Sequence, residues 1–269
     1  MGMKPADRFK SVHALVLRNA NQIQMALPKH ISAERMTRVF FSSLRRTPKL
    51  LECSDASLVG SLMKASQLGL EPDGLLGLAY LVPRWSKKLN QHEAELQIGY
   101  LGLIELARRS GQISTIAAEC VFDGDEFAYW HDETSVHFKH KPAWKENAAN
   151  KIAAVWARAV LKDGGVQLVV LPRADIERFR ARSQNPDGVW LSDYAAMAKK
   201  SALRQLCKLL PRSIELGDAM AIDAEAEEHR VENDELGDAI DVPVGDSSVS
   251  GLDVIAEIVG AKDDRKTVG

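Results

Sequence analysis

The first part of the chain carries apolar residues at helical spacing. They recur three and four positions apart over 32–46 and again over 54–68, which predicts two amphipathic helices. Ser32 and Ser54 stand where an N-cap is required, and Gly69 follows the second helix as its C-terminal stop. The residues up to about Asn21 are weakly patterned, so we predict no element there and expect that segment to be mobile.

The middle of the chain is rich in short apolar and alternating runs, which predict strands. Pro83 is expected to end the first strand, and the polar segment 84–95 (RWSKKLNQHEAE) is expected to form a loop. One helix interrupts the series, from Gly99 to a stop at Gly111. The predicted strands cover residues 78–82, 96–98, 113–122, 127–130, 135–139, 152–161 and 166–171.

The stretch 190–212 (WLSDYAAMAKKSALRQLCKLLPR) predicts a helix around which the rest of the chain is organised. Ser192 is the predicted N-cap, and Pro211 marks the end. Leucines and alanines form one broad apolar arc, whereas Lys200, Arg204 and Lys208 fall four apart on the opposite arc, with Arg212 next.

No acidic residue follows Asp193 within this stretch, so no intrahelical ion pair compensates the basic stripe. Such a stripe suits a row of phosphates, although a solvated helix face has the same pattern. Lys199 differs, because its helical angle places it on the apolar side. There it must extend to solvent, meet a carboxylate or project into a groove.

The order of helices, strands and helices predicts an α+β fold, with an antiparallel β-meander and hairpins packed against helices. The charge is divided unevenly. Residues 1–214 hold 31 Lys and Arg against 21 Asp and Glu, a net of +10, whereas 215–269 hold 4 against 16, a net of −12. We therefore predict a basic core over 1–222 that binds a polyanion, followed by a mostly disordered acidic tail over 223–269.

Within the tail, Leu252, Ile255, Ile258 and Val259 are spaced like one face of a short helix. A short helix cannot bury that face alone, so it either docks on a partner or frays.

The sequence lacks the usual catalytic motifs. It has no P-loop, no His-Glu-x-x-His and no Gly-x-Ser-x-Gly, and no Asp/Glu-x-Lys occurs before residue 215. His137 and His140 form the closest histidine pair, and an ordinary strand surface explains them. We therefore expect a protein that is not an enzyme.

Cys53, Cys120 and Cys207 are too scattered for a disulfide framework or a paired metal motif, which is typical of a cytoplasmic protein. The sequence contains no apolar run long enough to span a bilayer, so we expect no membrane partner.

Four sequence blocks resemble the RecT/Redβ-type phage single-strand annealing proteins, the RecT branch in particular. In order along the chain they are SQLGLEP at 66–72, GLAYLVP at 77–83, IGYLGLIELARRSGQI at 98–113 and WLSDYAAMAKKSALRQLCKLLP at 190–211. The combination is much harder to meet by chance than any one block.

The resemblance implies an ATP-independent recombination protein that binds single-stranded DNA, anneals complementary strands through a duplex intermediate and promotes strand exchange. It implies a ring or helical filament of many subunits. The expected partners are an exonuclease and a host single-strand-binding protein. The resemblance implies no cofactor; Mg²⁺ is expected to affect the DNA-bound states without a dedicated site.

The resemblance also assigns residues. Lys199, Lys200 and Arg204 match the AMAKK-x-x-x-R block as phosphate contacts, and Arg108 and Arg109 match ARRSGQ. Lys208 follows from helical spacing alone. The basic residues of ARRSGQ also suit a helix C-terminus without any ligand.

Two aromatic residues join these candidates. Tyr100 in GY-x-G could stack on bases or pack in the core. Trp85 could stack, contact another subunit or be buried, and it is flanked in its predicted loop by Arg84, Lys87 and Lys88.

Two other functions fit the same composition. A general single-stranded DNA-binding module would coat DNA without accelerating annealing. A metal-dependent DNA enzyme would change DNA covalently.

Overall fold

The computed structural model describes residues 4–72, 75–133, 136–143, 151–183, 187–211 and 213–234, the last helix as backbone alone after Ala224. It consists of helices packed with antiparallel sheets, which confirms the predicted fold class. Ser135 of the fifth predicted strand, Arg212 of the predicted basic stripe and the tail 235–269 with its Leu252–Val259 segment lie outside the described residues.

The helices and strands alternate in blocks along the chain. The helices are α1 (Pro5–Arg18), α2 (Ala20–Ala26), α3 (Ala33–Arg46), α4 (Asp55–Leu68), α5 (Tyr100–Arg109), α6 (Arg173–Ala181), α7 (Val189–Ser192), α8 (Tyr194–Cys207) and α9 (Ile214–Asp234). A 3-10 helix, Pro48–Glu52, separates α3 from α4. The strands are β1 (Ala79–Ser86), β2 (Gln91–Ile98), β3 (Ile113–Phe122), β4 (Glu126–His131), β5 (Val136–Lys141), β6 (Ile152–Leu161) and β7 (Val166–Pro172).

The strands described form three antiparallel sheets. The largest has the order β3-β6-β7, with Ala118 opposite Ala157 and Ala157 opposite Val169. The pairs β1-β2 and β4-β5 are separate two-stranded hairpins. Since an isolated hairpin is marginally stable in water, each must be held by what it packs against.

Several helix ends form where local chemistry predicts them. The Ser32 hydroxyl accepts from the N–H of Arg35, and the Ser54 hydroxyl accepts from the N–H of Ser57. Gly69 ends α4 with φ of 58°, a left-handed conformation that favours glycine. These caps confirm the predicted starts of α3 and α4 and the predicted stop.

The N-terminal segment differs from its prediction. Where the sequence pattern gave no element, α1 and α2 form, and Val12, Val16 and Ile23 are fully buried in the core. Arg8 fixes α1 to the start of α4 by donating to the carbonyls of Leu51 and Cys53 and pairing with Asp55. Val12 and Val16, four residues apart on α1, are enough to hold this helix on the core, because both side chains are buried there.

The prediction of a loop at 84–95 is wrong. These residues form the far half of β1, a short turn and most of β2, so the first strand continues through Pro83 to Ser86. Pro83 is tolerated because β1 pairs on one side alone among the described strands, and the missing N–H costs no ladder bond on the open edge. Asn90, with φ of 49°, closes the turn.

At the C-terminal end of the described chain, α9 runs from Ile214 to Asp234 without a break at residue 223. Leu216 and Ala219 are buried, as is Asp223, so the packed fold continues into the first residue of the predicted tail. Among the described residues, no helix is long and apolar enough to cross a bilayer.

Candidate nucleic-acid interface

Helix α8 carries the predicted phosphate contacts and lies inside the fold, against α5 and the β3-β6-β7 sheet. Its N-cap is Asp193, whose carboxylate accepts from the N–H of Ala196, and the predicted cap Ser192 instead ends α7. The shift is one residue and keeps the same chemistry. Ala198, Ala202 and Leu206 are fully buried, as the apolar arc predicts.

Lys199 meets a carboxylate. Its ammonium lies 2.9 Å from Glu119 on β3, with the lysine side chain 25% exposed. Burial alone would lower the pKa of Lys199, but the hydrogen bond and charge of Glu119 outweigh it and raise this pKa. Lys199 is therefore a charged group that ties α8 to the sheet.

Arg204 is paired more deeply. Its Nε lies 2.6 Å from the carboxylate of Asp223 on α9, and its guanidinium also donates to the Asp223 carbonyl at 3.3 Å. The Asp223 side chain is 5% exposed. The interpretation of the stripe as uncompensated is therefore wrong for Arg204, because an acid on another element neutralises it. Lys199 lies outside the stripe, and its contact with Glu119 is one of the three outcomes predicted for it.

The other two stripe residues sit differently. Lys200 is partly buried, whereas Lys208 is exposed at the C-cap of α8. The basic stripe is thus not one continuous open face, and Lys208 is its most accessible described member.

The two arginines at the end of α5 lie in different environments. Arg108 is exposed in the last turn. Arg109 donates to the carbonyls of Leu68 at 2.5 Å and Gly69 at 3.0 Å, which satisfies the free carbonyls at the C-terminus of α4. Tyr100 begins the helix, partly buried against the core.

The β1-β2 hairpin carries the remaining candidates. Arg84 lies 3.6 Å from Glu95 across the strands, and Trp85 packs edge-on against His92 with ring centroids 4.9 Å apart. Trp85 is still 38% exposed. In the turn, Lys87 is partly buried and Lys88 is exposed.

The four sequence blocks meet in space. Arg109 of the third block grips the end of α4 beside Gly69 of the first. Glu71 of the first block pairs with Arg35 of α3, and the third block packs against α8 of the fourth. The blocks therefore build one structural unit.

Two glycines explain why the second and third blocks lie so close. A Cβ added to Gly99 would lie 2.0 Å from the carbonyl oxygen of Gly77, and one added to Gly102 would lie 2.1 Å from that of Leu78. Either contact is impossible without moving backbone, so GY-x-G places the start of α5 directly on the 77–78 segment.

The sequence model of the RecT family matches residues 34–236, three-quarters of the chain. The chain belongs to the RecT family. It is similar to Protein RecT of Escherichia coli K12, with 43% identity over 207 residues that cover 75% of each chain. It is also similar to the uncharacterized protein YqaK of Bacillus subtilis 168, with 30% identity over 205 residues, 74% of this chain and 64% of that protein.

RecT family membership makes this chain a DNA-binding protein of DNA recombination and strand annealing. The matched range contains every residue predicted to contact DNA and includes α9 as far as Asp234.

Sequence reasoning missed Glu119 and Asp223, the acids that hold α8 in this RecT family fold. Glu119 precedes Lys199 by 80 residues and Asp223 follows Arg204 by 19, so helical spacing could not reveal either pair. One signal was present for Lys199, since a lysine on an apolar arc requires a partner.

The cysteine thiols are poor nucleophiles. Cys53, Cys120 and Cys207 are all buried and free. Burial raises the pKa of Cys53 and Cys207 to about 12 and that of Cys120 to about 11. Each is a neutral thiol at physiological pH.

Proposed function

We propose that this protein binds single-stranded DNA, assembles on it as an oligomer, anneals complementary strands and promotes strand exchange without ATP. The observation that carries the proposal is the RecT family match over 34–236, which covers the chain from the first turn of α3 to α9 and all candidate contacts. Membership in the family supports DNA recombination, and the finer activities are the proposal.

Annealing is a binding reaction. Two polyanions approach each other when cationic side chains neutralise part of the phosphate charge, and pairing requires that bases stay accessible. The exposed cations Lys88, Arg108 and Lys208 are suited to this role, and the partly buried Lys200 and Lys87 are further candidates.

The paired cations act differently in this proposal. Lys199 and Arg204 hold α8 between β3 and α9, and Arg109 holds α5 on α4. Arg84 lies near Glu95 in the hairpin. These four residues stabilise the fold that carries the exposed cations, and Trp85 and Tyr100 are the candidates for contact with bases.

Mg²⁺ acts in this proposal by screening phosphates rather than by binding a dedicated site. An exonuclease would supply the single strands, and a host single-strand-binding protein would occupy them beforehand. Both are partners expected of the recombination pathway in which the RecT family works.

The test mixes the purified protein with labelled complementary oligonucleotides, without nucleotide triphosphate, in EDTA and in Mg²⁺. We expect faster annealing than for DNA alone in both buffers and intact strands on a denaturing gel. Strand protection without faster annealing would favour a general binding module. Strands cut in Mg²⁺ would favour a DNA enzyme.

Assembly is tested by light scattering on the same samples. We expect particles well above the 29.6 kDa monomer that grow when single strands are added. A strict monomer with and without DNA would contradict the oligomer.

A further inference from the structure

The β4-β5 hairpin carries an exposed aromatic pair that the interface above does not include. Trp130 on β4 stacks on His137 directly opposite on β5, with ring centroids 4.7 Å apart and planes 10° from parallel. Trp130 is 50% exposed, although tryptophan is usually well buried. His137 Nε2–H donates to the carboxylate of Asp132, which holds the imidazole in place.

The hairpin has two unlike faces because side chains alternate along each strand. On the inner face, Phe138 packs edge-on against Trp156 of β6 at 4.9 Å. Trp156 Nε1–H donates to His140 Nδ1 at 3.0 Å, so the His140 proton lies on Nε2, toward Asp125 at 3.1 Å. This network anchors the inner face to the largest sheet.

The outer face is turned away from that anchor. The strand register places Glu126, Ala128, Trp130, His137, Lys139 and Lys141 on it. Lys139 pairs with Glu126 at 2.5 Å, and both lysines are exposed, so two cations stand against one carboxylate at this end of the face. Ala128, the next residue of β4 on this face, has the smallest side chain of the six.

We propose that this outer face is a second single-stranded DNA contact, in which an unpaired base stacks on the Trp130–His137 pair and Lys139 and Lys141 meet the flanking phosphates. An exposed aromatic ring on a β-surface beside lysines is the arrangement by which single strands are bound without sequence preference. The imidazole covers one side of the indole and fixes its orientation, which lowers the cost of ordering a base on the other side.

Single-stranded DNA fits this face better than a protein partner does. Apart from the ring pair the face offers charged residues and one alanine, with no large aliphatic side chain. A contact of this kind uses the bases, whereas the cations of α5, α8 and the β1-β2 turn use the phosphates. An annealing protein gains from having both sites, because one strand can be held at the hairpin face and the other at the cations.

The test compares binding of oligo(dT) with binding of an abasic strand of equal length, which keeps the phosphates and removes the bases. Trp130→Ala should weaken binding to oligo(dT) roughly 5- to 100-fold, the effect of losing one stacking aromatic, and leave abasic binding unchanged. Trp130→Phe should retain most of the oligo(dT) affinity. Lys141→Gln should instead flatten the log–log salt dependence on both strands by about 0.7.

Val136→Ala is the matched control, an exposed apolar residue of the same hairpin that lies on the other face. It should leave both affinities unchanged. An equal loss in Trp130→Ala for both strands, or no loss for either, would overturn the inference. The inference would also be overturned if Trp130→Ala formed smaller particles than wild type in light scattering but kept the wild-type preference for oligo(dT) over the abasic strand. That result would make this face a contact between copies of the chain.

This inference rests on the proposed function, and the same titration separates the two. Wild-type protein that binds neither strand contradicts the proposed function. Wild-type protein that binds oligo(dT), together with a Trp130→Ala variant of equal affinity, contradicts the hairpin contact alone.

Discussion

At the scale of single residues, two cations four positions apart on α8 have different roles. Arg204 is 18% exposed and faces a nearly buried carboxylate, whereas Lys208 is exposed. A buried ion pair is strongly destabilised by removing one partner, because the other charge is left without compensation. An exposed cation contributes little to stability and a full charge to phosphate binding.

Arg204→Ala should therefore lower the free energy of unfolding by about 3 kcal/mol, because Asp223 is left buried and unpaired. Urea unfolding followed by circular dichroism measures this. Asp223→Asn should be destabilising too, since it removes the same pair from the other side. A variant with wild-type stability would mean that α9 does not depend on Arg204.

Lys208→Ala is the companion variant. Its stability should stay within about 0.5 kcal/mol of wild type, since the residue is exposed. Its salt dependence of single-strand binding should flatten by about 0.7, one phosphate contact. An unchanged slope would remove Lys208 from the interface.

At the scale of elements, the local signals were sufficient where an element is fixed by its own residues. Ser32, Ser54 and Gly69 cap α3 and α4 as predicted, and the turn after β6 joins it to β7. Sequence could not predict what depends on distant partners. The strand through Pro83 needs the single pairing partner of β1, and the neutralisation of Lys199 needs β3 beside α8.

The candidate site follows the same division. Lys88, Arg108 and Lys208 are exposed, as a DNA contact requires. Arg109, Lys199 and Arg204 lie in the ARRSGQ and AMAKK-x-x-x-R blocks too, but their contacts stabilise the fold. A resemblance to a family block can therefore reflect packing as readily as DNA binding.

The start of α5 depends on having no side chain at Gly102. Gly102→Ala would bring a Cβ to 2.1 Å from the Leu78 carbonyl oxygen, and we expect a loss of about 1–3 kcal/mol in the free energy of unfolding. Gly60→Ala in α4 is the matched control, because nothing lies within 4 Å of its added Cβ. It should be neutral or stabilising by about 0.5–1 kcal/mol.

Thermal unfolding of the two variants distinguishes the cause. If both lower the melting temperature equally, the effect belongs to any helical glycine and not to the contact of α5 with Leu78.

The anchor of the β4-β5 hairpin should depend on pH. Burial of Asp125 raises the pKa of its carboxyl, but the N–H groups of Ala143 and Phe122 and the hydrogen bond from His140 outweigh it, so this pKa lies below its ordinary value. A lowered pKa adds stability that is complete above the unfolded value, about 3.9, and is lost as pH falls through the folded value.

Comparing wild type with Asp125→Asn tests this. The difference in unfolding free energy should be constant above about pH 5 and shrink below pH 4, where the wild-type carboxyl takes up its proton. A difference that stays constant down to pH 3 would contradict the role of the Asp125 charge.

At the scale of the whole molecule, positive and negative charge are separated along the chain, with a net of +10 over residues 1–214 and −12 over residues 215–269. Part of the acidic segment belongs to the fold, because α9 reaches Asp234 and Asp223 is buried against α8. A cut after residue 223 would therefore divide a helix. A cut after 234 keeps every described element.

Residues 235–269 hold eight acidic and three basic residues, a net of −5. If this segment competes with DNA for the cations of the core, the protein truncated after 234 should bind single strands more tightly at low salt. The difference in affinity between truncated and full-length protein should narrow toward physiological salt, where the Debye length is about 8 Å. Fluorescence anisotropy over a salt series measures both.

The truncated protein should still anneal complementary strands, because every candidate contact lies before residue 235. Equal affinity at every salt concentration would exclude screening and leave Leu252–Val259 as a partner-docking candidate for a pull-down. Loss of annealing with wild-type circular dichroism would place the segment within the annealing machinery itself. The acidic segment would then help to bring subunits or strands together, and would not act by competing with DNA for the basic residues of the core.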